Sequence, residues 1–189
     1  MTGNEFNAAD IESLLTELET RLRERGVAAS VYIVGGAAIA LREVTPDRRT
    51  GDIDAYIVPE AEVLAAAQEV ARAHQLRSNW LNSSARGWIP SVPAEAQVPP
   101  AEPGLARYVA PEEHLLAMKL IAARGQRDMQ DVLPLCRRLG LSKAEDIADL
   151  VLEVYGDALE YVHGGYADTL LYCQHVERLL ATGNESSQG

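Results

Sequence analysis

Val31–Ala38 reads VYIVGGAA, a β-branched and aromatic run halted by a glycine pair and followed by the helix-favouring stretch AAIALRE. This predicts a strand, a tight turn at Gly35-Gly36 and a helix, a layout that lets backbone N–H groups and the helix's positive end approach an anion closely. Downstream, Arg48–Val58 reads RRTGDIDAYIV, with fifteen residues between Gly36 and Asp52. Successive strand side chains point to opposite faces, so Asp52 and Asp54 share one face about 6.7 Å apart along the chain, with Ile53 turned away. Ile53, Tyr56, Ile57 and Val58 around them predict a largely buried strand, where ionised acids need a cation. Two carboxylates on one face suit Mg²⁺ or Mn²⁺, which take hard oxygen ligands together with substrate phosphate oxygens. The bland alternative is an alternating surface strand and a plain turn. Neither GxGxxG nor GxxxxGK[ST] is present, so the glycines mark neither a dinucleotide site nor a P-loop.

A second constellation lies in Leu115–Leu135, LLAMKLIAARGQRDMQDVLPL. Lys119, one of two lysines in the chain, interrupts an apolar stretch; it is either a phosphate-binding charge or a snorkelling side chain. On one straight helix Lys119 and Asp128 would lie about 180° apart. Gly125 as a helix end predicts a helix-break-helix corner that turns Asp128 and Asp131 back toward Lys119.

Taken together, Gly35-Gly36, Asp52-Ile53-Asp54 and the set Lys119, Arg124, Arg127, Asp128 and Asp131 resemble the DNA polymerase β-like minimal nucleotidyltransferases, in particular the AbiEii/MenT-type toxins and their relatives. The resemblance covers roughly residues 28 to 140. It implies an α+β fold with a small mixed-sheet core, and transfer of an NMP from an NTP to an acceptor, RNA (tRNA) or protein. It also implies catalytic Asp52, Asp54, Lys119 and Asp128, with Asp52 and Asp54 on the metal, and nucleotide binding by Gly35, Gly36, Arg49, Thr50, Lys119, Arg124 and Arg127. A cognate antitoxin partner follows from the same likeness, as does its control by phosphorylation of a hydroxyl residue, here Thr50. Two departures stand out. The serine often found after the first glycine is missing, and Leu76–Val109 offers only Glu95 and Glu102, in a proline-rich loop, for a third carboxylate. The alternative is therefore an inactive nucleotidyltransferase-fold binding or regulatory module.

The net charge of −11 opposes a polyanionic partner, but the stretch from Leu41 to Arg127 holds ten Lys or Arg against eleven acids, so the excess sits on the flanks. Apolar residues at helical spacing in Ala8–Arg25 predict an amphipathic cover helix, and Glu60–His74 a second helix. Trp80–Pro90 (WLNSSARGWIP) reads as a loop, where Trp80 or Trp88 either stacks on a base or anchors packing. Ser91–Leu105 reads as a lid or mobile linker, placing a domain seam at residue 105. A short strand over Ala106–Val109 and then a helical lobe to residue 182 follow, kinked at Pro134, with a disordered tail over 183–189. Cys136 and Cys173 lack metal-ligand spacing and read as small buried hydrophobes. No stretch is apolar enough to cross a membrane and no leader pattern opens the chain, so a cytoplasmic location is expected.

Overall fold

A computed structural model describes residues 5–122 and 126–185. The protein is mixed α/β, and its contacts divide it into two compact units after Ala110.

The first unit is built on a four-stranded mixed sheet of order β3-β2-β1-β4, formed by β1 (Ala28–Val34), β2 (Ile53–Val58), β3 (Leu81–Asn82) and β4 (Gly104–Val109). β1 runs antiparallel to β2 and parallel to β4, and β2 runs parallel to β3. Central β1 is buried on both faces, as its unbroken apolar run requires. Helices α1 (Ala8–Glu24) and α3 (Glu60–His74) pack against one another. Arg107 of β4 reaches Glu12 and Glu19 of α1 at 3.0 and 2.8 Å, which places these helices on the sheet face that carries Val31, Ile53 and Ile57. Asn7 opens α1 with a capping box to Asp10, and the stripe Ile11, Leu14, Leu15, Leu18 and Leu22 is buried, as the spacing predicts.

The opposite face carries Ser30, Tyr32 and Val34, opposed in β2 by Val58, Tyr56 and Asp54. Over β1 it is covered by the proline-rich segment. Ala94–Ala96 forms one turn of 3₁₀ helix, Ala96 is buried, and the Ser30 hydroxyl donates to the Ala96 carbonyl at 2.6 Å. This segment is therefore docked on the sheet, not the mobile lid its composition suggests. β4 pairs with β1 inside this unit, so the division falls after the strand, at Ala110, where a seam at residue 105 would have cut the sheet.

The second unit is helical: α4 (Glu112–Ala122), α5 (Gln126–Arg138), α6 (Ala144–Tyr155), the short α7 (Leu159–His163) and α8 (Gly165–Glu185). α6 packs along α8, and α4 against both α5 and α6. α5 continues through Pro134 to Arg138. α8 runs to Glu185, past the expected start of a tail at Gly183; residues 186–189 lie outside the described residues. Sequence periodicity missed α7, whose five residues are too few to show a period. Among the described residues no helix is long and apolar enough to cross a membrane.

Candidate functional site

β1 ends at Val34 and α2 (Gly35–Leu41) begins at the next residue, so the glycine pair lies inside the helix start and no separate turn intervenes. The bend is made at Gly35, whose φ of +65° is a conformation other residues adopt only at a cost. Val34 opposes Asp54 across the ladder, which brings the Asp54 carboxylate up to the glycine: a Cβ on Gly35 would stand 3.4 Å from Asp54 Oδ2. Gly36 has a tighter neighbour, since its Cβ would lie 2.8 Å from Thr50 Oγ1 and 3.3 Å from Arg48 Nη2. Gly35 is thus required by its positive φ, and Gly36 by close approach to Thr50.

The acid pair differs from expectation in its burial. β2 alternates strictly: Ile53, Ala55 and Ile57 are buried, while Asp54, Tyr56 and Val58 are half-buried on the other face. The strand is one-sided, not buried on both faces, because helices cover only its Ile53 side. Asp52 precedes the strand and is half-buried too. Two carboxylates at the end of a sheet, both reachable from solvent, offer hard oxygen donors of the kind Mg²⁺ or Mn²⁺ prefers and leave room for phosphate oxygens. They fit such an ion as a partial ligand set. Among the described residues no group of three or more His, Cys, Asp or Glu side chains could hold a metal.

Thr50 lies outside β2, in an isolated antiparallel bridge with Phe6 (N···O 2.7 and 3.0 Å). Its hydroxyl donates to the Asp52 carbonyl at 3.1 Å and the residue is buried. Arg48 donates to the Arg49 carbonyl, and Arg49 is turned toward the Glu5 carbonyl at 3.5 Å.

In the second unit the corner between α4 and α5 brings together what the spacing predicts. Lys119 Nζ lies 2.8 Å from Asp128 Oδ1 and 2.9 Å from Asp131 Oδ2, with the lysine side chain 14% exposed and Asp131 fully buried. The lysine charge is committed to two carboxylates, a geometry that neither snorkelling nor an open phosphate site describes. Arg124 and Gly125 lie outside the described residues, and of Arg127 only its helical backbone in α5 is described.

The tryptophans separate cleanly. Trp80 is fully buried with Nε1 donating to the Ala67 carbonyl at 2.9 Å, which removes it as a stacking platform, whereas Trp88 is 52% exposed. Cys136 and Cys173 are buried, and burial pushes both thiols up to about 12.

Sequence reasoning passed over a cluster on the Asp54 face. Tyr56 is the next side chain along that face, and the Arg86 guanidinium lies 5.0 Å above its ring. Arg86 Nη1 donates to Glu60 Oε2 at 3.0 Å, and Ser83 donates to the other oxygen of the same carboxylate. Asn82 of β3 opposes Asp54 across the parallel ladder. The signal was present in Asn82–Arg86, NSSAR, a polar run directly after an apolar pair, but the two-residue strand β3 that aims it at Asp54 is too short to show alternation.

No family model matches the chain, and no curated protein or solved structure matches it either.

Proposed function

We propose that the protein is a metal-dependent nucleotidyltransferase that moves an NMP from an NTP to an acceptor hydroxyl, with release of pyrophosphate. The observation that carries this reading is the Asp54 carboxylate, preceded by Asp52, on the half-open face of an otherwise buried sheet beside the Gly35 turn into α2. A carboxylate on that half-open face, beside a second acid one residue before the strand, is a hard-oxygen donor a divalent cation can use. Asp52 and Asp54 are the residues to hold Mg²⁺ or Mn²⁺, which when bound would neutralise charge developing on the phosphoryl oxygens. Thr50 fixes the approach to Asp52 through its bond to that residue's carbonyl.

The resemblance of the motifs extends the proposal to tRNA or protein as acceptor, to a cytoplasmic setting and to a cognate antitoxin. One observation favours a second reading, a binding or regulatory module without turnover: the described residues hold no third metal-ligating side chain beside the acid pair.

The test is incubation of purified protein with Mg²⁺ and each α-³²P-labelled NTP in turn, with total RNA and with a protein extract, alongside Asp52→Ala/Asp54→Ala. Label transfer lost in the double variant supports the enzyme and names its nucleotide and acceptor class. Metal-dependent NTP binding without transfer supports the module, and neither outcome in the native protein rejects both.

A further inference from the structure

Arg86 is held in place by three neighbours. Its guanidinium stacks over the Tyr56 ring at 5.0 Å, its Nη1 is tethered to Glu60 at 3.0 Å, and Glu60 is in turn fixed by Ser83 from the same loop. Glu60 belongs to the first turn of α3, where the helix dipole favours its ionised form, so the tether is itself anchored on rigid structure. A surface arginine ordinarily moves freely; this one has given up much of its rotamer freedom while 55% of its side chain remains in solvent. A guanidinium carries five N–H donors, and among the described residues only Nη1 donates, to Glu60. The remaining donors are pre-oriented and open to an anion.

Position decides which anion. Tyr56 and Asp54 are alternate residues of one strand on one face, about 6.6 Å apart. The stacked guanidinium therefore lies over the next side chain along the face that carries Asp54. A polyphosphate brought to two aspartates is repelled by them, and one divalent ion does not cancel the combined charge. A second fixed cation on the same face is what such a substrate requires, and bidentate oxygen recognition is what arginine does best.

We infer that Arg86, stacked on Tyr56 and tethered by Glu60, is the residue that grips the polyphosphate of a nucleoside triphosphate on the Asp54 face. The inference rests on the nucleotidyltransferase reading and adds to it the residue that distinguishes a triphosphate from a monophosphate. Tyr56 and Glu60 are positioning residues, acting through Arg86.

The experiment is calorimetric titration of the full chain, in Mg²⁺, with each of the four NTPs, the corresponding NMPs and a short single-stranded RNA. Native protein is compared with Arg86→Ala, Arg86→Lys and Tyr56→Leu, each checked by circular dichroism for an unchanged fold. Losing charge-assisted hydrogen bonds should weaken NTP binding by about tenfold to a hundredfold in Arg86→Ala, with NMP binding unchanged within about twofold. Arg86→Lys, which keeps the charge but neither the fork nor the stack, should recover only part, and Tyr56→Leu should fall between native and Arg86→Ala. Equal NTP affinity in native protein and Arg86→Ala overturns the inference and leaves the acid-pair reading standing. Equal losses for NTP and NMP, or a loss confined to the RNA, also overturn it. If native protein binds no NTP in Mg²⁺, the acid-pair reading fails and this inference fails with it.

Discussion

Replacing Lys119 by methionine keeps the aliphatic stem and removes the charge, leaving Asp128 and Asp131 facing a thioether in a site where Asp131 is fully buried. Two short contacts, 2.8 and 2.9 Å, are lost together. Removing one partner of a buried ion pair typically costs about 3–5 kcal/mol, because the remaining charge is left uncompensated. Lys119 is 14% exposed and some water reaches the site, so the low end applies, about 3 kcal/mol. A helical unit of this size is stable by roughly 4–12 kcal/mol, so the loss is a large share of the total. Both tryptophans lie in the first unit, which makes far-UV circular dichroism, dominated by the helices, the proper readout of urea unfolding. The single variants Lys119→Met and Asp131→Asn should each destabilise, and the double variant should lose less than their sum, with a coupling of about 1–3 kcal/mol. A cost below about 1 kcal/mol for Lys119→Met with no coupling would refute the view that this cluster locks the corner between α4 and α5.

Other perturbations reach the remaining parts of the structure. Gly36→Ala puts a methyl 2.8 Å from Thr50 Oγ1 and should cost about 1–3 kcal/mol in urea unfolding, partly restored by adding Thr50→Ala; native-like stability would contradict the packing described. Burial raises the Cys136 and Cys173 thiols from an ordinary 9.0 to about 12, so the native chain holds protons that the unfolded chain sheds. Their stabilising effect is complete below about pH 9 and is lost as pH rises toward 12, so urea midpoints should fall through that window, and less steeply in Cys136→Ala/Cys173→Ala; parallel slopes would count against it. Acrylamide should quench only part of the tryptophan fluorescence, because Trp88 is half-exposed and Trp80 is buried; Trp88→Phe should leave an emission that resists quenching, and easy quenching of that variant would place Trp80 wrongly.

What could be read from the chain follows from the range over which each signal acts. The α1 stripe, the β1 run and the Lys119–Asp128–Asp131 cluster were legible because each depends on local spacing: a 3.6-residue period, a β-branched run, a nine-residue separation that one straight helix cannot close. The alternation of β2 was legible from its sequence, but its burial was not. That depends on helices α1 and α3 covering one face of the sheet and only a loop reaching the other. Proline-rich composition suggested mobility for residues 91–105, yet one buried alanine and one serine hydroxyl, 66 residues apart in sequence, pin the loop to the sheet. The Arg86–Tyr56–Glu60 cluster was hidden for the same reason, since its members come from a strand, a helix start and a loop and meet only once β3 has paired with β2.

The most direct test of the acid pair is Mn²⁺ binding, followed by electron paramagnetic resonance in the presence of a non-hydrolysable NTP analogue. Native protein is expected to bind Mn²⁺ with the analogue, and Asp54→Asn, with its backbone and fold intact, is expected to lose at least about tenfold in that affinity. Equal Mn²⁺ affinity in native protein and Asp54→Asn would contradict a metal-centred function for this face of the sheet.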